Sequence, residues 1–308
     1  MRAVVVGGAG FLGGAIAEEL LRRGDSVVVF DELVSTERCA AVFGPGAVEI
    51  AAADMLDAAA LSDAFSGADE VYHLAGILGT SELEERVQDA IISNIAGAVG
   101  VFEAAIECRV PRVFFPAKPN VWRNTYTITK YAAEQFAQMY AATGQVAIPT
   151  LRYFNGYGPR QCLGPVRKLV PTFVAQALSG LPLTVYGDGQ QTVDMIYSRD
   201  LARHTVDFTR SGYIGEPVDL GRGVEMSVLD VASAVNRVVG SDAGIVHLPM
   251  RRGETPSTHL VADNRPLERL LGPLHFTDFT TSLEETVVWY ARLPRDDIRG
   301  AVEALEAA

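Results

Sequence analysis

The stretch that decides the fold is VVVGGAGFLGG, residues 4–14, where a run of valines leads into closely spaced glycines. The valines predict a buried strand, and Phe11–Arg23 follows with apolar residues at helical spacing. Gly7, Gly10 and Gly13 lie at the junction, where glycine lets the backbone turn tightly, approach a pyrophosphate and pack the helix against the strand. The amino end of the helix adds free N–H groups and a positive dipole. The stretch therefore predicts a dinucleotide-binding loop.

Acidic residues at the ends of the next two strands bear on which dinucleotide binds. Val27–Phe30 predicts the second strand, and Asp31 ends it eighteen residues after the last of those glycines. A carboxylate there can accept both ribose hydroxyls and would repel a 2′-phosphate, so we expect NAD rather than NADP. Asp54 follows the predicted third strand, Val48–Ala52, and either touches the adenine or caps a helix over Leu56–Phe65.

Short apolar strands alternate with helical segments through the first half of the chain. Further predicted strands are Val71–Leu74, Val113–Phe115 and Val146–Leu151, and the longest predicted helices are Glu84–Glu107 and Thr127–Ala142. Continuous apolar strands separated by helices indicate a parallel sheet covered on both faces. We therefore predict an α/β fold, with a Rossmann-type doubly wound parallel sheet over residues 1–152. A smaller C-terminal α/β substrate domain covers 153–308, and parts of 193–225 return to the first domain.

Composition restricts the class of partner. The 308 residues are 48% hydrophobic and 21% charged, with a net charge of −12. Such a surface repels phosphate backbones and anionic lipid, so we expect neither nucleic acid nor a membrane as a partner. The three cysteines form no CxxC pair and the five histidines have no ligands at metal spacing, so no metal site is predicted. We expect no signal peptide, no run of about 20 apolar residues, and a cytoplasmic location.

A second motif, YTITK, lies farther along the chain. Its Tyr126 and Lys130 are four residues apart and so share one face of a predicted helix. A lysine ammonium near a tyrosine hydroxyl favours the phenolate. A phenolate can remove the proton of an alcohol while hydride leaves the same carbon for a nicotinamide. Following a dinucleotide loop, the pair predicts a redox step on an alcohol.

Eight motifs follow one another along most of the chain. They are GGAGFLG (7–13), FDEL (30–33), VYHLAG (71–76), Asn94, YTITK (126–130), LRYFNGYGPRQ (151–161), LPLTVYGDGQQTVDMIY (181–197) and RRGE (251–254). In kind and order they resemble the extended short-chain dehydrogenases/reductases, specifically the NAD-dependent nucleotide-sugar epimerases and dehydratases.

The resemblance implies roles for individual residues. Those implied to bind NAD are Gly7, Gly10, Phe11, Leu12, Gly13, Asp31, Asp54, Met55, Leu74, Ala75, Gly76, Asn94, Tyr126, Lys130 and Tyr153. Tyr126 is the implied acid/base. The implied substrate-binding residues are Asn155 at the sugar diphosphate, Lys168, Leu169 and Tyr186 along the nucleotide, and Arg251 or Arg252 at a phosphate.

One departure from the family's pattern concerns the reacting hydroxyl. Lys118 stands where a catalytic Ser or Thr is usual, and neither residue type occurs from 112 to 123. Lys118 is either a third catalytic residue, whose ammonium stabilises charge on the reacting oxygen, or a solvated loop lysine. Asn120 and Thr125 are the alternative donors.

Two further departures also fall on the substrate side. The connection before Tyr126 is shorter than usual, and Val193 replaces an arginine that normally grips the diphosphate. We therefore expect an NAD-retaining epimerase or dehydratase of a nucleotide-linked sugar with an altered substrate side. The alternatives are a keto-sugar reductase or dehydrogenase that releases its cofactor, and a catalytically silent NAD-binding regulatory subunit. The resemblance also implies a homodimer through the two long helices.

Overall fold

The strands and helices are taken from a computed structural model, which describes residues 1–119, 122–250 and 259–307. The strands are β1 (Arg2–Val6), β2 (Ser26–Phe30), β3 (Glu49–Ala51), β4 (Glu70–His73), β5 (Val113–Ala117), β6 (Thr150–Tyr153), β7 (Asn155–Tyr157), β8 (Leu183–Tyr186), β9 (Thr192–Tyr197), β10 (Val218–Leu220), β11 (Glu225–Ser227) and β12 (Ile245–Leu248). The helices are α1 (Phe11–Arg22), α2 (Thr36–Phe43), α3 (Ala58–Phe65), α4 (Val87–Ile91), α5 (Gly97–Glu107), α6 (Thr125–Ala142), α7 (Leu169–Leu178), α8 (Ser198–Arg210), α9 (Val228–Val239), α10 (Arg265–Leu271), α11 (Phe279–Ala291) and α12 (Arg295–Ala307). A π-helical turn, Ile92–Ala96, joins α4 to α5.

The central feature is a seven-stranded sheet in the order β10-β6-β5-β4-β1-β2-β3. All its neighbouring strands are parallel. The chain moves outward from β1 to β3 and then returns to the other side of β1 to form β4. The carboxyl ends of β1 and β4 therefore flank a reversal of strand order, where sheets of this kind bind ligands. The predicted Rossmann-type doubly wound sheet is confirmed.

Helices cover both faces of this sheet. On one face, α3, α5 and α6 bury one side of the strands together with Phe102 and Phe115. On the other, α1 packs beside α8 and buries Ile16 and Leu20 completely. Because β1 and β5 are covered on both faces, they are buried along nearly their whole length and read as continuous apolar runs.

The C-terminal part of the chain has its own core. Side chains of α7, α9 and α11 pack there against β8 and β9, in a cluster that includes Phe173, Leu183 and Leu283. β7 and β9 are parallel, and β11 adds antiparallel to β9. β10 returns to the large sheet beside β6. A smaller α/β unit thus stands beside the sheet, and the exact boundary at residue 152 stays a prediction.

The helical run Val87–Glu107 departs from the expectation about apolar stretches. Its 21 residues, with mean hydropathy 1.5, are long and apolar enough to cross a bilayer by length and composition. However, 44% of the apolar window is buried, and Phe102 belongs to the core of the sheet. Val87, Ile91 and Ile92 instead expose 42, 39 and 47% of their surface. The run is a core helix with one apolar outer edge.

Candidate active site

The glycine loop between β1 and α1 is closed in by backbone. Gly7 has φ +83°, and its N–H donates to the carbonyl of Phe30 at 2.8 Å. A Cβ on Gly7 would lie 2.5 Å from the nitrogen of Ala75, and one on Gly13 would lie 2.1 Å from the oxygen of Gly7. No side chain fits at either position, so the loop presents backbone alone.

The amino end of α1 opens above this loop. Gly10 precedes the helix, and in the described part of the chain no side chain caps it. Phe11 and Leu12 form the first turn and lie against Gly156 of β7. Uncapped N–H groups beside a glycine cradle fit the pyrophosphate of a dinucleotide.

Asp31 lies immediately after β2, at the same edge. Its Oδ2 accepts from the N–H of Ala9 at 3.1 Å, and its Oδ1 accepts from the N–H of Leu33 at 3.0 Å. Each oxygen keeps acceptor capacity for a ribose hydroxyl. Arg38 of α2, which sequence analysis missed, donates to the carbonyl of the same Ala9 at 3.3 Å.

Asp54 follows β3 and is exposed. Its Oδ1 accepts from the N–H of Leu56 at 2.9 Å, whereas Asp57 caps α3. The alternative in which Asp54 caps that helix is therefore wrong. Met55 packs against Gly97 of α5, where a Cβ would lie 2.8 Å from the Met55 methyl.

The segment after β4 runs over the end of β1. The N–H groups of Leu74 and Ala75 both donate to the carbonyl of Val6, at 2.7 and 2.9 Å. Gly76 follows with φ +147°, a conformation that side chains disfavour. These residues form the second wall of the glycine cradle.

Asn94, in the π-helical turn, ties that wall to α6. Its side chain is 3% exposed, and its amide exchanges two 2.9 Å hydrogen bonds with the backbone of Ile77. Nδ2 also donates to Thr129 Oγ1 at 3.1 Å. Both amide N–H groups are therefore used within the chain, and a direct contact of Asn94 with the cofactor stays a prediction.

Tyr126 and Lys130 occupy the first turns of α6, one turn apart. The Lys130 Nζ lies 4.3 Å from the centroid of the Phe115 ring in β5. Burial raises the pKa of Tyr126 to about 12. Burial also lowers the pKa of Lys130 to about 7, with Glu134 opposing this and the charge of Lys118 adding to it. At Tyr126 the shift is caused by burial, and its direction is opposite to the one expected from nearby lysines.

Lys118 follows the last residue of β5 and is fixed beside the tyrosine. Its Nζ donates to the carbonyl of Pro119 at 2.7 Å and to Thr127 Oγ1 at 2.9 Å. The same nitrogen lies 5.8 Å from the ring centroids of both Tyr126 and Trp122. Burial lowers the pKa of Lys118 to about 8. The side chain is half-buried and bonded rather than solvated in a loop.

Lysine is rare in this chain. It contains three lysines, Lys118, Lys130 and Lys168, against 23 arginines. Arginine stays charged in proteins, whereas a buried lysine can lose its proton near neutral pH. All three lysines thus lie at positions that sequence analysis assigned to the site.

Other predicted positions have different placements. Asn120, Arg251 and Arg252 lie outside the described residues. Thr125 is the first residue of α6. Tyr153 is 8% exposed and bonds Thr205 of α8 through its hydroxyl at 2.6 Å, so its side chain packs on the far face of the sheet. The described residues contain no group of three His, Cys, Asp or Glu that could hold a metal ion.

The substrate side combines β7, β8, β9 and the start of α7. Asn155 begins β7 and pairs in register with Met195 of β9. Val193 of β9 packs partly into the C-terminal core and brings no charge. That Val193 replaces an arginine at the substrate diphosphate stays a prediction.

An arginine that sequence analysis missed stands beside two predicted residues. Lys168 and Leu169 lie at the start of α7, and Arg167 precedes them. The Arg167 guanidinium donates to the Tyr186 hydroxyl and lies 5.6 Å from its ring centroid. The Arg167 N–H also approaches Glu82 Oε1 at 3.4 Å, linking the C-terminal part to the segment after β4.

A family model describes most of the chain, including the glycine cradle and the tyrosine. The model of the "NAD dependent epimerase/dehydratase family" matches residues 3–117 and 116–221. The chain belongs to this family. The predicted membership of the extended short-chain dehydrogenases/reductases is confirmed.

Similar proteins also support membership of the epimerase/dehydratase family. It is 28% identical over 320 residues to UDP-N-acetyl-alpha-D-glucosaminuronate decarboxylase from Bacillus cytotoxicus, covering 96% of this chain and 99% of that protein. It is 31% identical over 273 residues to UDP-glucuronic acid decarboxylase 1 from Arabidopsis thaliana, covering 81% of this chain and 61% of that one. The crystal structure of UDP-glucuronic acid 4-epimerase from Bacillus cereus, in complex with UDP-glucuronic acid and NAD, matches with TM-score 0.87 and 26% identity, over 96% of this chain and 100% of that one.

Membership of this NAD-dependent family makes the chain an enzyme of the short-chain dehydrogenase/reductase type with NAD as its cofactor, as predicted. The individual binding and catalytic assignments stay predictions. Sequence reasoning missed Arg38, Thr127, Glu134, Arg152 and Arg167. For Glu134 a signal existed, because it lies four residues after Lys130 on the same helix face.

Proposed function

We propose that this enzyme retains NAD and transiently oxidises one alcohol carbon of a UDP-linked sugar to a ketone. The keto sugar then loses water or carbon dioxide before hydride returns, or it turns over so that hydride returns to its other face and gives the epimer. The observation that carries the proposal is that the glycine cradle and the helix with Tyr126 and Lys130 lie at the same edge of the large sheet. The glycine cradle lies at the carboxyl ends of β1 and β4, and the tyrosine–lysine helix begins beside β5, the next strand. A cofactor on the cradle and a sugar over β5 therefore meet at Tyr126.

Tyr126 moves the proton in this scheme. Its oxygen takes the proton of the sugar hydroxyl as hydride leaves the same carbon, and returns it when hydride returns. NAD, when bound, supplies the hydride acceptor and a positive charge. Because burial alone raises the pKa of Tyr126 to about 12, the ammonium of Lys130 is needed to make proton transfer accessible near neutral pH.

Lys118 takes the place of the usual hydroxyl in this proposal. Among the described residues, two of its three N–H groups are used by Pro119 and Thr127, which leaves one for the reacting sugar oxygen. A fixed ammonium there stabilises charge developing on that oxygen. The confinement of all three lysines to site positions supports this role over a chance surface lysine.

UDP-hexuronic acids are the substrate class that we propose. Three similar proteins carry names for UDP-linked uronic acids: two decarboxylases and a 4-epimerase. Oxidation next to the carbon that bears the carboxylate gives a β-keto acid, which can lose carbon dioxide. Oxidation at the same carbon with return of hydride from the other face gives the epimer.

Product analysis tests this function. The purified enzyme, saturated with NAD, is incubated with UDP-glucuronic acid, UDP-N-acetylglucosaminuronic acid and UDP-glucose, with Tyr126→Phe as the control. We expect either a mass loss equal to carbon dioxide or an epimer seen by NMR, with NAD unchanged at the end. Stoichiometric NADH instead identifies the cofactor-releasing dehydrogenase, and no product from any of the three sugars contradicts the proposal.

We also propose that the enzyme is a homodimer. α4 and the π-helical turn contact α6. Exposed apolar side chains run along this pair of elements, including Ile92, Ile128 at 59%, Tyr131 at 47% and Met139 at 51% exposure. A second copy related by a twofold axis would cover α6 and the helix formed by α4 and the π-helical turn. The two helices of each copy would then form a four-helix arrangement. The net charge of −12 disfavours an anionic membrane as the alternative cover.

Light scattering at micromolar concentration tests the dimer. We expect twice the chain mass for the wild type and the monomer mass for Ile128→Glu. Val288→Glu is the matched control, because Val288 is 50% exposed on α11, away from the proposed interface. A wild-type monomer contradicts the proposal, and cosedimentation with anionic vesicles would assign the apolar face to a membrane.

A further inference from the structure

Glu134 is a buried carboxylate on the same helix as the catalytic pair. It lies four residues after Lys130 and eight after Tyr126, so all three share one face of α6. It is 1% exposed. Its Oε1 accepts from Arg152 Nη2 of β6 at 2.8 Å, while its Oε2 is buried with no hydrogen-bond partner among the described residues.

A contribution to folding stability does not explain why Glu134 and Arg152 form a buried ion pair. A buried ion pair commonly contributes little over an apolar replacement of the same shape, since both charges lose water. A buried oxygen without a partner adds a further cost. The carboxylate is therefore placed where its charge, rather than its packing, has an effect.

That effect falls on Lys130. The charged and titratable groups around Lys130 are Tyr126 and Glu134 from its own helix, Lys118 from the end of β5, and His73 from β4. Burial, assisted by Lys130, lowers the pKa of His73 to about 3, so this imidazole is neutral at physiological pH. Lys118 repels the Lys130 ammonium, and Glu134 supplies the opposing negative charge.

Arg152 holds the carboxylate from the other side. It comes from β6, and its neighbour in register on β10 is Asp219. Charges of alternating sign therefore run from Lys130 through Glu134 and Arg152 to Asp219, across three elements. Arg152 fixes the position of Glu134 and also weakens its pull on Lys130.

We propose that Glu134 is a positioning residue for catalysis, which keeps Lys130 in its charged form beside Tyr126 against the combined effect of burial and Lys118. This inference rests on the proposed function, in which Tyr126 works only while Lys130 is charged. The charged and neutral forms of Lys130 are similarly populated near neutral pH, because its pKa lies at about 7. Near that value, a small change in local charge alters the protonated fraction most.

The pH–rate profile tests the inference. A group needed in its protonated form supports activity below its pKa and not above, so Lys130 sets an alkaline limb. Glu134→Gln keeps the shape and an acceptor for Arg152 but removes the charge. We expect the alkaline limb of this variant's pH–rate profile to move down by about one pH unit. At pH values above the limb kcat should fall roughly tenfold, and at pH values below it kcat should change little. Glu134→Asp, which keeps the charge, should restore most of the shift.

Arg152→Gln gives a change of opposite sign. It leaves Glu134 charged and removes a competing cation, so the limb should move up. A merely structural ion pair predicts loss of thermal stability in both variants and no opposed shifts. Glu70→Gln is the matched control, because Glu70 is also fully buried and paired with Arg210, at the amino end of β4. It should lower the melting temperature and leave the limb in place.

A measurement without substrate separates this inference from the proposed function. The neutral form of each lysine reacts with an amine reagent, and three lysines are simple to follow by peptide mass spectrometry. We expect the labelling midpoint of Lys130 to fall by about one pH unit in Glu134→Gln, with Lys168 as internal reference. An unchanged midpoint in folded Glu134→Gln and Arg152→Gln overturns the inference. Absence of turnover in the wild type overturns the proposed function alone.

Discussion

The cofactor side and the substrate side of this site are built from different groups. On the cofactor side, Gly7 and Gly13 bring backbone into contacts where a Cβ would come within 2.5 Å and 2.1 Å of other backbone atoms. Around the catalytic tyrosine, where the substrate side begins, the groups are side-chain charges: Lys118, Lys130, which is also implied to bind NAD, and the buried Glu134. A side chain on Gly7 or Gly13 would force the backbone of the cradle to shift, whereas a side-chain network can be altered one residue at a time. The difference explains how a family member can keep its cofactor loop and yet carry a lysine in place of a hydroxyl.

Tyr126→Phe is the largest expected effect and separates the two sides. The ring still packs, but the proton acceptor is lost, so turnover should fall by roughly 10²–10⁴-fold. NAD affinity should be almost unchanged, since the glycine cradle is untouched. Turnover assays with isothermal titration of NAD decide it, and turnover like the wild type would remove Tyr126 as the acid/base.

Lys118→Ala should lower kcat by about 10²-fold. Because the charge of Lys118 lowers the pKa of Lys130, its removal should also move the alkaline limb of the pH–rate profile upward. Lys118→Ser should recover part of kcat by restoring a hydroxyl. Unchanged kcat and profile in Lys118→Ala would transfer the role to Thr125 or Asn120.

Gly13→Ala should damage the cofactor side and spare the chemistry. The added methyl group meets the Gly7 carbonyl at 2.1 Å, so the loop or α1 must shift. Overpacking of this kind typically costs about 1–3 kcal/mol, and we expect NAD to bind roughly tenfold or more weakly. Excess NAD should restore kcat. A variant with normal NAD affinity would show that the cradle is looser than its geometry indicates.

Asp31→Asn is the smallest expected effect and tests cofactor choice. The carboxylate opposes a 2′-phosphate, and both Asp31 and Arg38 bond the backbone of Ala9. We expect the preference for NAD over NADP to relax by roughly tenfold, at the lower end of about 1–3 kcal/mol for an unpaired buried charge. Dissociation constants of both dinucleotides measure it, with Asp54→Asn for comparison. NADP binding to the wild type as tightly as NAD would contradict the assignment.

Local spacing made much of the fold and site predictable. The glycines after β1, the acid after β2 and the i, i+4 pair in α6 each depend on a few adjacent residues. Element ends were less accurate: the third helix begins at Ala58 rather than Leu56, because Asp57 caps it. The run 84–107 also contains a π-helical turn that periodicity did not indicate. Such details depend on which side chain completes a hydrogen bond, and composition does not decide that.

By itself, the sequence determined the class of sheet, the cofactor loop, the tyrosine–lysine pair and the presence of Lys118 where a hydroxyl is usual. Each follows from short-range pattern, since backbone conformation and helix-face geometry are set within a few residues. Only the tertiary structure decided that Lys118 bonds Thr127, that Arg152 holds Glu134, and that Arg38 bonds the carbonyl of Ala9. These contacts join separate elements, and the order β10-β6-β5-β4-β1-β2-β3 brings them together. Whether two charges lie within hydrogen-bonding distance depends on that order and on side-chain packing, which no local pattern contains.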